Sequence, residues 1–175
     1  IDMALRADIA APDARYMAVI TAPDREAALQ AAERAGQQLD GLIATGVIGG
    51  YDSPARFLPS LAMQASRRAS LPTADELQSR LHAALTDSPL AASKLGAFLE
   101  DVTKAREQGS VTRETLNGTS LALAVDSLLL QRPNGWSVLL PLRPAGGDKG
   151  IDIAIEPVRA ALTGSGALFV DMKNE

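Results

Sequence analysis

One stretch restricts the folding options of this chain more than any other: PDREAALQAAERAGQQLDGLIATG, residues 23–46. Leu29, Ala32, Gly36, Leu39 and Ile43 recur at three- and four-residue steps, which places one apolar stripe along a long helix. Pro23 suits its first turn, Asp24 and Glu26 complement the helix dipole there, and Gly46 offers a stop. A stripe this long needs a partner surface. Gly36 lies within it, and a glycine at that point lets the helix sit close on a sheet. The flanking segments supply candidate strands. ARYMAVITA (14–22) reads as a buried strand, and VIGGYD (47–52) reads as a short extended segment.

The other end of the chain has the same texture. LLLQRPNGWSVLLPL carries Asn134-Gly135, the pair favoured in two-residue type I′ hairpins, between apolar arms. Pro133 and Pro141 predict an edge position or bulges. IDIAIEPVRAALTGSG reads mainly as a helix, with Pro157 limiting its start and Gly164 and Gly166 closing it; ALFVDMK reads as the last strand. With the middle of the chain set aside, the order is βαββαβ, a split βαβ or ferredoxin-like sandwich of the α+β class. The second strand is either Val47–Asp52 or the arm around Leu128–Gln131. In such a plan the first and last strands are antiparallel neighbours, so the chain enters and leaves at one edge of the sheet. The helix carrying Leu29, Leu39 and Ile43 is expected to cover both strands.

Between the halves lies a helical insertion, 53–126, within a single domain whose α/β core spans 14–52 and 127–173. SLAMQASRRASL is a short helix. In TADELQSRLHAAL, Thr73 and Glu76 form a capping-box pair ahead of a Leu77/Leu81/Leu85 stripe. ASKLGAFLEDVTKAREQG has Ser93 as cap, Leu95, Phe98, Leu99 and Val102 as buried face, and Gly109 as stop. TRETLNG is one turn, and a further helix starts at Thr119.

The 175 residues carry a net charge of −4, which disfavours a nucleic-acid partner, since phosphate binding needs a positive footprint. Arg67-Arg68 is the only adjacent basic pair. The absence of cysteine excludes disulfides, thiol nucleophiles and thiolate metal sites. Aromatic residues make up 3%, so the core must be built from Leu, Ala, Ile and Val. No apolar run reaches the roughly 18–20 residues of a membrane span. The abrupt ends read as those of an excised piece.

Catalytic chemistry finds little support. His82, the single histidine, flanks a helix stripe without a second His, so an ordinary surface role is favoured over catalysis. Glu100 and Asp101 point about 100° apart on a helix and cannot converge as acid and base. GGYDSP lacks the Lys-Ser/Thr of a P-loop, and neither NGTS nor GSG has the context of a nucleophile elbow. Asn117-Gly118-Thr119 matches a glycosylation sequon but reads equally as a helix stop and cap. Asp148 and Asp152 flank a glycine loop too sparse for calcium. The expectation is a non-enzyme with no cofactor and no metal.

GVIGGYDSPARFLPS (46–60) reads as the corner that launches the helical block. Ser53 is a cap, Pro54 follows at the first helical position, and Pro59-Ser60 restarts a second helix. The same corner carries a family resemblance. Together with LRADIAAPDARYMAVI, AAERAGQQLDGLIATG and RPNGWSVLLPLRP, it resembles a periplasmic loop of MMPL-type exporters, inner-membrane transporters of the resistance–nodulation–division superfamily. The nearest likeness is to exporters associated with aryl-polyene and related lipid-like biosynthetic clusters. YDSPARFLPS is its most specific piece, and the resemblance runs from about Leu5 to Lys173. It implies a porter-like extracytoplasmic domain that helps form the periplasmic path for a hydrophobic or amphiphilic cargo in a proton-driven exporter. The transmembrane helices of the same polypeptide would be partners, with a homo-oligomer or a periplasmic protein as further assemblies. Proton-relay residues would lie in those helices, outside this chain. An apolar cargo groove between sheet and helical block is expected, lined by Phe57, Leu58 and Phe98. The alternative is a soluble adaptor or interaction domain with no transport role.

Overall fold

The computed structural model describes residues 15–86, 88–89, 92–146 and 152–173. These form an α+β structure with a five-stranded antiparallel sheet and six α-helices. They divide into two compact units: residues 61–111, and the residues before and after them.

The sheet unit contains β1 (Tyr16–Ala22), α1 (Arg25–Ala44) and β2 (Ile48–Tyr51) from the first half of the chain. From the second half come α5 (Ser120–Leu128), β3 (Leu129–Arg132), β4 (Gly135–Pro144), α6 (Ile155–Leu162) and β5 (Ala167–Asp171). The sheet order is β2-β4-β1-β5, with β3 also pairing with β4. Along β1, burial alternates with the strand period of two. Tyr16, Ala18 and Ile20 are buried, while Met17 and Val19 are half-buried. The buried set packs with Val138, Leu140 and Leu142 of β4, Phe169 of β5 and Leu29, Ala32 and Leu39 of α1. Val158 and Leu162 of α6 and Val125 of α5 complete this core. Tyr16 and Phe169 stack with ring centroids 6.1 Å apart.

α1 begins at Arg25, two residues after Pro23, so the proline lies outside the helix rather than in its first turn. Asp24 is its cap, its Oδ1 accepting from the Ala27 N–H at 2.8 Å. Leu29, Ala32, Gly36 and Leu39 are all buried and Ile43 packs partly against the core, so the predicted stripe is the one that docks.

Both candidate second strands are strands. β3 pairs with the start of β4, Leu129 opposite Val138 to Arg132 opposite Gly135. β2 pairs with its end, Tyr51 opposite Leu142 and Ile48 opposite Pro144. They flank the same side of β4, one after the other. Pro141 falls at the seam between them, in a central strand rather than at an edge. Its carbonyl accepts from the Asp52 N–H at 3.0 Å. The N–H and C=O of one strand residue point to the same side, so the donor that proline lacks faces the seam.

The hairpin also differs from expectation. Because Arg132 pairs with Gly135, the loop residues are Pro133-Asn134 rather than Asn134-Gly135. Proline fixes φ near −65°, which excludes a type I′ turn. Gly135 has φ 138°, and a Cβ there would lie 2.4 Å from the Ala22 carbonyl oxygen.

The helical unit contains α2 (Leu61–Ser70), α3 (Ala74–Ala84) and α4 (Gly96–Glu107). The expected insertion, 53–126, is therefore narrowed to 61–111. The corner before it and α5 after it belong to the sheet unit, because Leu58, Leu116, Ala122 and Val125 are buried in that core. The Thr73–Glu76 capping box is present, and it holds the Glu76 carboxyl below its usual range, chiefly through the Thr73 N–H. The cap position of α4 falls at Leu95 rather than at Ser93. Ser93 lies in a 3-10 turn, Ala92–Leu95, and the helix starts at Gly96 without a side-chain cap. No residue of α4 is buried. Leu95, Leu99 and Val102 are half-buried, and Phe98 is 47% exposed. Of the Leu77/Leu81/Leu85 stripe only Leu77 is buried. Polar ties compensate within this unit. The Gln64 amide donates to the Val111 carbonyl at 2.9 Å and accepts from its N–H at 2.8 Å. Arg68 donates to Ser110 Oγ at 3.0 Å, and Arg106 donates to the Leu71 carbonyl.

Candidate functional site

The sheet unit holds one polar arrangement at the corner and another where β1 starts and β5 ends. At the corner, Tyr51 is buried and its hydroxyl reaches α1. The oxygen lies 3.1 Å from the Gly36 carbonyl and 3.0 Å from Asp40 Oδ1. The Arg56 guanidinium lies 4.5 Å above the Tyr51 ring. Burial pushes the phenol pKa up, and its bond to Asp40 adds to this. A Cβ on Gly36 would stand 2.8 Å from the same hydroxyl, so the glycine admits this tyrosine. Gly49 has a parallel role, since a Cβ there would meet the Pro144 carbonyl oxygen at 2.3 Å. Asp52 accepts from Arg143 at 2.9 Å. Ser53 Oγ accepts from the Ala55 N–H at 3.3 Å, the expected cap, although the helix it caps is a single 3-10 turn, Pro54–Arg56. Ser60, fully buried, donates its N–H and its hydroxyl to the two oxygens of Glu33 at 2.8 and 2.7 Å. Tyr51 and Ser60 tie the corner to α1 and Asp52 ties it to β4, while the Ser53 cap and the Arg56–Tyr51 contact stay within the corner.

At the strand ends, Arg15 reaches two carboxylates. It donates through Nε to Asp171 Oδ1 at 3.1 Å and through Nη2 to Oδ2 at 3.3 Å, and it pairs with Asp152. Tyr16 donates to Asp152 Oδ1 at 2.7 Å. Asp171 is 5% exposed, so its charge needs these donors; the Lys173 N–H adds another at 3.1 Å. The Tyr16 hydrogen bond, then the Arg15 charge, hold the Asp152 carboxyl below its usual range. Burial pushes the Tyr16 phenol up. Sequence pattern marks Asp152 only as half of a sparse calcium loop and gives Arg15 and Asp171 no role. The partners lie more than 130 residues apart, beyond the reach of any local pattern.

The residues named for a cargo groove fall in different places. Phe57 is 39% exposed in the sheet unit, and Phe98 is exposed in the helical unit. Leu58 is 2% exposed and part of the sheet unit's core. It therefore faces the protein interior and cannot line a groove. Leu121 and Leu123 of α5, at 43% and 73%, are exposed leucines that no sequence pattern singles out.

His82 is exposed in the last turn of α3. Glu100 and Asp101 are exposed, each 3.9 Å from the Lys104 ammonium, as on a solvated helix face. Asp148 lies outside the described residues. Among the described residues no group of three His, Cys, Asp or Glu side chains is placed to hold a metal ion. No helix among them is long and apolar enough to cross a membrane. No protein-family model, curated protein or solved structure matches the chain.

Proposed function

We propose that this chain is an extracytoplasmic, porter-like domain of a proton-driven exporter of the MMPL type, on the periplasmic side of the bacterial inner membrane. The sequence resemblance centred on YDSPARFLPS and RPNGWSVLLPLRP is the starting point. One structural observation favours it over other uses of an α+β domain. The start of β1 and the end of β5 lie side by side, with the Met172 N–H donating to the Arg15 carbonyl at 2.8 Å. A loop strung between two membrane helices must leave and rejoin one membrane face, and this arrangement meets that demand. The order β2-β4-β1-β5, with β3 as an addition, supports a ferredoxin-like βαββαβ core.

In this reading the domain helps form a path for a lipid-like cargo and carries no catalytic residues of its own. Cargo contact would fall on exposed apolar side chains such as Phe57 and Phe98, while Leu58 supports the core. Proton coupling would be the task of transmembrane helices in the same polypeptide.

These 175 residues hold no cysteine, so labelling above that of the unsubstituted gene product reports the introduced thiol. Leu123, 73% exposed, is replaced by Cys in the full-length gene product, and cells with a permeabilised outer membrane are treated with a membrane-impermeant maleimide. Labelling before lysis, together with loss of lipid export when residues 15–173 are deleted, supports the reading. Labelling only after lysis, with export intact in the deletion, favours the soluble adaptor instead.

A further inference from the structure

Arg15 grips both ends of one supersecondary piece. Asp152 stands three residues ahead of α6, and Asp171 is the last residue of β5. Between them the chain makes a helix and an edge strand. Among the described residues only β1 pairs with β5, and the next strand across is β4. We propose that Arg15 is a clasp that docks residues 152–171 onto the sheet as one unit, and that this α6–β5 piece opens and closes as a block whose equilibrium the clasp sets.

Three observations support a block rather than two separate contacts. First, a single guanidinium bonds both carboxylates, so losing it releases the two ends at once. Second, Tyr16 ties the same Asp152, and its ring stacks on Phe169 of β5, which joins the polar and apolar parts of the seam. Third, Arg159 of α6 lies with its guanidinium 5.8 Å from the Phe169 ring centroid, which links the helix to its own strand. Val158, Leu162 and Phe169 are buried, so the open state exposes apolar surface and is a minor one. It also bares the β1 edge from Tyr16 to Ile20, now covered by β5. Cooperative units of this size that open below the global unfolding free energy are a general property of folded domains. The clasp does not depend on the export reading.

The test is native-state hydrogen exchange by mass spectrometry on the 175-residue chain. In Arg15→Gln, peptides covering 155–162 and 167–171 are expected to exchange together, roughly tenfold or more faster, since a charge-assisted bond to a buried carboxylate is lost. Peptides covering 25–44 and 135–142 keep their wild-type rates. Equal acceleration throughout the chain, or acceleration confined to 171–173, overturns the proposal. Should Arg15→Gln fail to fold, Asp152→Asn removes one grip at an exposed carboxylate. Joint acceleration of α6 and β5 supports the block. Acceleration of α6 alone, or no change, refutes it.

Discussion

Met172 donates its backbone N–H to the carbonyl of Arg15 at 2.8 Å, across a ladder that runs on through Val19 opposite Leu168. This pairing makes a sharp prediction. Val19 and Leu168 both point to the sheet face opposite the buried set, and directly paired Cα atoms lie about 5.5 Å apart, within disulfide reach. Replacing both with Cys should give a cross-link under mild oxidant, seen as a mobility shift on a non-reducing gel. Absence of the cross-link in folded protein would show that β1 and β5 are not paired.

Two glycines of α1 predict opposite signs for one substitution. Gly41 has nothing within 4 Å of a built Cβ, so Gly41→Ala should stabilise by about 0.5–1 kcal/mol through the unfolded chain. Gly36→Ala drives a methyl into the Tyr51 hydroxyl and should destabilise by about 1–3 kcal/mol. Tyr51→Phe removes that oxygen along with its bond to the Gly36 carbonyl. The double variant should therefore be more stable than the sum of the two single losses, a coupling that urea denaturation can measure.

The contrast between these glycines shows what could be read from sequence. The stripe through Leu29, Ala32, Gly36 and Leu39 was legible because helix period is local, but it left open which of two segments supplies the second strand. That Gly36 meets Tyr51 in particular was not legible, because it depends on where β2 lies against α1. Arg132 and Gly135 show a second limit. Turn propensity favoured Asn134-Gly135, but register along β4 moved the loop by one residue, and the proline then excluded the type I′ turn. Leu58 and Phe98 mark a third. Apolarity alone does not say which side chains end up inside, and the chosen three divided between core and surface. Arg15 and Asp171 were out of reach altogether, since an ion pair 156 residues apart leaves no periodic trace.

Glu33 and Ser53 both anchor the corner, and they should differ in cost. Ser53→Ala removes one long cap bond to a single 3-10 turn and should cost at most about 1 kcal/mol. Glu33→Ala takes both carboxylate acceptors from the fully buried Ser60 and should cost about 1–3 kcal/mol. Glu33→Gln, which keeps one acceptor oxygen, should fall between. A larger loss from Ser53→Ala than from Glu33→Ala in thermal unfolding would mean the corner is held by its cap rather than by α1.

Acid should weaken the sheet unit through its exposed ion pairs. Glu114 accepts from Arg25 at 3.0 Å, and this bond with its local hydrogen bonds lowers the carboxyl pKa from 4.5 to about 2. Asp126, bonded by Arg113, is held below its usual range as well. A carboxyl with a folded pKa below its unfolded one takes up protons more readily in the unfolded chain. Its stabilisation is therefore full above about pH 4.5 and drains away as the pH falls toward about 2. The urea midpoint should drop across that window, and Glu114→Gln should flatten the drop while lowering the midpoint at neutral pH only slightly. Because the Glu114 side chain is 65% exposed, about 0.5 M salt should shrink the difference between wild type and variant. An acid transition identical in wild type and Glu114→Gln would remove the Arg25 pair from any part in it and leave Asp126 and Asp152 as the groups that titrate.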